Sequence, residues 1–185
     1  MACAITKGRG IGCKTAFAGI KNVYILDFDS TGGAAVAALA PSSAGEVDLA
    51  SLSSSDFFKF EVKGGQSSLE TSINSSRENG TTFYESTLNV TFQNLDMATQ
   101  EEIKLLARGR ALYVAELYPD GAGNIKYLLI GKSNGAEVTG GTMVTGAAPG
   151  DLQGFTLTVV ATEVFPPFFA TIPDVASATP IDPAP

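Results

Sequence analysis

The sequence predicts a mainly β fold, a sandwich or barrel of about eight strands with one packed α-helix. Three observations predict it. From Gln66 to Phe169 polar and apolar residues alternate almost throughout, the period of half-buried strands. Asn79-Gly80 and Asp120-Gly121 break that alternation with dipeptides that favour tight turns. Only one stretch, residues 96–109, changes to helical spacing.

Residues 1–21 are Gly- and Lys-rich and read as an irregular N-terminal arm. A β-rich domain over 22–165 follows. It opens with Asn22–Asp29 (NVYILDFD), a strand with a buried middle. Residues 30–55 are rich in Ala, Gly and Ser and read as a long loop, a class usually functional or interface-forming. Asp56–Lys63 alternates, with Phe58, Phe60 and Val62 on one side and Lys59, Glu61 and Lys63 on the other. Gly64-Gly65 turns the chain into a strand through Leu69, Thr71 and Ile73.

After Asn79-Gly80, Thr82–Asn94 is a long two-faced strand. Leu88, Val90 and Phe92 share one face; Thr87, Asn89, Thr91 and Gln93 share the other. Asp96 is placed to cap a helix starting at Met97, and Thr99 with Glu102 offers a capping box one turn on. Ile103, Leu106 and Ala107 are its expected buried stripe and Gly109 its end. Ala111–Tyr118 and Asn124–Gly131 form a pair around Pro119-Asp120-Gly121. Ala136–Gly146 is a bulged ribbon and Phe155–Val164 the last strand. Residues 166–185 carry six prolines and read as an extended or disordered tail.

The chain has 185 residues, enough for one domain with decorations, and 44% are hydrophobic. Its net charge of −7 repels phosphate backbones, so stable nucleic-acid binding is disfavoured. The same sign suits a surface past which DNA slides without sticking. Cys3 and Cys13 are free thiols or one local bridge; with no His they do not complete a zinc shell. No apolar run makes a secretory signal or a membrane span, so the protein reads as made in the cytoplasm and the sequons at Asn74, Asn79 and Asn89 as incidental.

Three stretches invite chemistry. Gly8–Thr15 approaches a phosphate loop, but Cys13 stands where that loop needs Gly before Lys-Thr. Gly131–Gly154 is dense in glycine but lacks the strand–turn–helix setting of a dinucleotide site; bulges explain it better. Tyr24–Thr31 resembles the first motif of haloacid-dehalogenase-type phosphatases. That resemblance implies Asp27 as nucleophile and Asp29 as general acid/base around magnesium. The alternating strands and helices, the later Lys and the acidic pair of that family do not follow. No catalytic, cofactor-binding or metal-binding residue is therefore assigned, and no enzymatic activity is expected. Phe57, Phe58, Phe60, Phe92 and Phe155 read as core. Phe165, Phe168 and Phe169 read as a packed chain exit or as an apolar anchor on a neighbouring subunit.

Several blocks resemble bacteriophage tail proteins. They are Ser68-Leu69-Glu70-Thr71, Ser76–Glu85, Leu88–Phe92 leading to the 96–109 helix, Gly135–Gly141, Thr145-Gly146, Gly150-Asp151 and Gly154–Thr158 with Glu163 and the Pro166–Phe169 exit. Together they cover about two thirds of the chain, and the element order is similar to the tail-tube (major tail) protein family. The resemblance implies hexameric rings whose strands join across subunits into an inner barrel, and head-to-tail stacking of the rings into a filament. It implies a virion protein whose partners are its own copies, with tape-measure, sheath, terminator or baseplate proteins beside them. DNA is present only in transit. The tube of a contractile injection system, or a capsid or neck protein, is the nearest alternative; the Asp27/Asp29 phosphatase is the alternative of another class.

Overall fold

A computed structural model describes residues 8–9, 14, 17–28, 33–42, 45–53, 56–62 and 65–173. Within them the chain is mainly β, ten strands in two sheets with two helices. Cys3, Cys13, Asp29, most of the Gly8–Thr15 run and residues 174–185 lie outside the described residues.

The first sheet has six strands. Its centre is β1 (Ile20–Asp27) beside β6 (Ala111–Leu117) and β7 (Tyr127–Ile130). β3 (Phe58–Glu61) closes one side; β10 (Phe168–Thr171) and β2 (Glu46–Asp48) close the other. The second sheet orders β4 (Ser68–Ser76), β5 (Thr81–Gln93), β9 (Gly154–Glu163) and β8 (Glu137–Val144). All three of its pairings are antiparallel.

The two sheets share one core. Val23, Ile25 and Tyr113 from the first meet Leu88, Val90, Phe92, Leu157 and Val159 from the second. The first sheet is also covered on its other face, where Tyr24, Leu26, Val114 and Leu129 pack with Val36, Val47, Leu49 and Phe57. Burial on both faces explains why β1 and β6 are apolar almost throughout instead of alternating.

That second core corrects the loop reading of 30–55. The segment holds α1 (Gly33–Ala38) and β2, and its Val36, Val47 and Leu49 are buried in this core with Leu39 and Leu52 packed beside them. Lys132 fixes this layer by donating to the Ala37 carbonyl at 2.9 Å, at the end of α1. The tail reading changes too, because β10 pairs with β7 and β2. The alternation of 56–63 holds in register, with Phe58 and Phe60 opposite Ile25 and Val23. Phe58 is not core, however: it is 55% exposed at the groove beside α2, while Phe57 on the other side is buried in the second core.

The expected helix is α2 (Met97–Leu106), capped by Asp96, whose carboxylate accepts from the Thr99 N–H at 2.7 Å. Thr99 therefore lies inside the helix and is not its cap. Ile103 and Leu106 pack on the shared core, but Ala107 is exposed and no α2 residue is fully buried. The helix rests on the core edge and leaves a groove on either side.

Candidate assembly surface

The outer face of the second sheet is formed by the alternate residues of β4, β5, β9 and β8 that point away from the core. Along β5 the inward set is Leu88, Val90 and Phe92, so Glu85, Thr87 and Asn89 point out. Register carries the same face to Glu70 and Ser72 on β4, Thr156 and Thr158 on β9, and Thr142 on β8. Hydroxyls and amides knit it. Thr158 Oγ1 donates to Asn89 Oδ1 at 3.0 Å, and the Thr142 and Thr156 hydroxyls lie 2.6 Å apart. Cross-strand pairs of this kind stabilise a sheet at its surface.

No lysine or arginine occurs in any of these four strands. The charged side chains on the outer face are the carboxylates Glu70, Glu85 and Glu137. Thr91 is on the right face but buried, because its N–H donates to Ser67 Oγ at 3.1 Å and its hydroxyl to the Gln66 carbonyl.

β4 and β8 are the margins of this sheet, and among the described residues no strand pairs with their outer sides. They are nine and eight residues long. Long open margins of this kind are templates for another chain. The sheet is also staggered. β4 lies beside Thr81–Asn89 of β5, while β8, read through β9, is level with Thr87–Gln93. A progressive stagger is what barrel closure requires.

The phosphatase motif is set differently. Asp27 ends β1, which lies between the antiparallel neighbours β3 and β6 and not among alternating strand–helix units. Asp27 lines the groove under α2 with Phe58, Glu102, Leu105 and Arg110. Among the described residues no three His, Cys, Asp or Glu side chains gather as a metal site, and no helix is long and apolar enough to cross a membrane. Phe168 packs on the second core while Phe165 and Phe169 are exposed.

Two buried carboxylates escaped sequence reasoning. Glu116 accepts from Asn22 Nδ2 at 2.7 Å, Tyr24 Oη at 2.8 Å and Lys21 Nζ at 3.1 Å. Burial pushes its pKa up, but the three donors together outweigh burial and hold it below the usual range. Glu163 is wrapped by the 131–136 loop and accepts from the Ser133 N–H at 2.6 Å. There burial prevails over the loop N–H groups and the Lys132 charge, and the pKa is raised. The available signal was a lone Glu inside the apolar run ALYVAEL.

No family model, curated protein or solved structure matches the chain.

Proposed function

We propose that the protein is a bacteriophage tail-tube subunit, a virion structural protein with no catalytic task. The observation that carries this reading is the four-stranded sheet with two open margins and an outer face free of basic residues. Its strands alternate in direction and are even in number, so β4 and β8 run oppositely. Copies related by rotation about one axis therefore meet β4 to β8 in antiparallel fashion, and the alternation continues around the ring. Closing the ring satisfies both margins of this sheet, which an isolated subunit cannot do.

In this reading the subunit is a β-sandwich whose second sheet becomes one sector of a barrel. Six copies are expected, from the family resemblance. The lumen is then lined mainly by Thr, Ser and Asn, with a few carboxylates and the apolar Phe83, Val144 and Val160. DNA phosphates meet no cation on that sheet and release no counterions to it, so passage is unhindered. The first sheet, β2 at its edge, and the α1 cover form the outer wall. Rings stack through a heterologous contact that does not close, giving a filament. Tape-measure, terminator, sheath or baseplate proteins are the expected neighbours at its ends and exterior.

Negative-stain microscopy of the purified protein tests the proposal. Rings or hollow tubes with a continuous inner wall are expected. Monodisperse monomers at high concentration, across a range of salt, would overturn it.

A further inference from the structure

An apolar groove of about 360 Å³ runs between α2 and the inner side of β8. Ile103, Ala107, Val138, Met143 and Leu157 wall it, and none of its lining residues is charged. Gly141 forms its floor at β8, where a Cβ would stand 2.6 Å from the Thr156 carbonyl oxygen; glycine lets β8 lie this close to β9. At the opposite margin of the same sheet stands Ile73. It is on the inner side of β4 with Leu69, which packs on the shared core, yet it is 67% exposed.

We propose that this groove is the socket for Ile73 of a second copy of the chain. The inference rests on the ring reading above and names the contact that locks it. When two sheets join edge to edge, their faces stay continuous, because a strand pair does not exchange sides. The inner side of β4 therefore arrives on the groove side of β8. Two registers, two residues apart, overlap the margins with faces matched. One sets Ile73 opposite Gly141 and Ser72 opposite Thr142, the other sets Thr71 opposite Gly141, and only the first seats the large apolar side chain over the glycine. The charges agree as well. The inner residues of β4 are Leu69, Thr71, Ile73 and Ser75, all uncharged like the groove, while Glu70 points to the other face. Backbone pairing alone tolerates slippage by two residues. An isoleucine seated against a glycine sets one register and joins each copy to its neighbour in one way.

The test uses the full chain with Cys3→Ser and Cys13→Ser as background. Ser72→Cys and Thr142→Cys, introduced together and oxidised after assembly, are expected to give a ladder of covalent multimers. Cross-strand Cβ atoms at directly opposed positions lie about 4.5–5.5 Å apart, close enough for such bridges after slight adjustment. Ile73→Asp is expected to raise the concentration needed for half-assembly roughly tenfold or more. Because Ile73 is exposed in the subunit, the urea midpoint of the monomer should stay unchanged and Ile73→Leu should restore assembly. A photo-crosslinking residue at Ala107 should capture peptide 68–80 of another copy. Capture of residues 1–16 or 174–185 would give the groove to a terminal segment and overturn the inference. Normal rings from Ile73→Asp with no disulfide ladder would overturn it while leaving the ring reading intact. No rings from the unaltered chain would overturn both.

Discussion

Asn22 and Glu116 are paired twice over: they face each other in the register of β1 and β6, and the Asn22 amide donates to Glu116 Oε2 at 2.7 Å. Tyr24 donates to the same oxygen at 2.8 Å. A carboxylate 3% exposed is thus satisfied by neighbouring strands of the more deeply buried sheet. Replacing it with Ala leaves two buried donors without an acceptor. Glu116→Ala should cost about 3 kcal/mol, read as a shift in urea midpoint at unchanged slope. Glu116→Gln, which keeps one acceptor, should cost less.

The same pair sets an acid limb in stability. The pKa of Glu116 is lower in the folded chain than its usual 4.5. In that interval the unfolded chain binds more protons, so the contribution is complete above about pH 4.5 and is lost as pH falls through the folded value. Urea midpoints measured against pH should fall on the acid side in the wild type, and this fall should be smaller in Glu116→Gln.

Glu163 works in the opposite sense. Its pKa is raised from 4.5, so the folded chain binds more protons and its contribution is complete below about pH 4.5. It is lost as pH rises through the folded value. Glu163→Gln should remove this decline, so the gap between variant and wild-type urea midpoints should change across weakly acidic pH and then level off. An unchanged gap from pH 4 to pH 8 would contradict the assignment.

Much of this architecture was legible because it is local. Asp96 announces α2 through the N–H groups it caps, and the inner and outer sets of β5 follow from a period of two. What stayed hidden depends on distant chain. Thr91 has the spacing of an outward residue, yet Ser67 covers it. The 30–55 segment has too few large apolar residues to show a pattern, but Val36, Val47 and Leu49 need only fill a surface that β1 and β6 provide. Glu116 is a lone charge in an apolar strand, and its partners Asn22 and Tyr24 are brought beside it only by pairing across more than ninety residues. The open margins of the second sheet were illegible for a related reason, since an edge is defined by which strands fail to arrive.

Packing between β5 and β9 gives a sharper stability test. A Cβ on Gly154 would stand 2.0 Å from the Phe92 carbonyl oxygen and 3.0 Å from its carbon. Backbone cannot retreat from there without disturbing the Gln93–Gly154 end of the ladder. Gly154→Ala should cost roughly 1–3 kcal/mol, as overpacking does. Gly140→Ala, on the neighbouring margin strand with nothing within 4 Å of its Cβ, is the matched control and should leave the thermal midpoint nearly unchanged. Equal losses in the two variants would refute the packing argument.

The outer face of the second sheet makes the functional prediction. Asn89 is exposed, and Thr87 and Thr158 are half-buried on the same face, so a flexible lysine at any of them can extend into solvent. Thr87→Lys should change monomer stability by no more than about 0.5 kcal/mol, and Thr158→Lys, which gives up the bond to Asn89, by up to about 1 kcal/mol. Repeated around a ring, each substitution places a belt of cations along the path assigned to DNA. Assembled wild-type tubes should retain no double-stranded DNA in a filter or anisotropy assay, and the lysine variants should retain it. Each phosphate contact releases condensed counterions, so retention should fall steeply as salt is raised. Retention by wild-type tubes equal to that of the lysine variants would show that this face does not line the channel, even if tubes form.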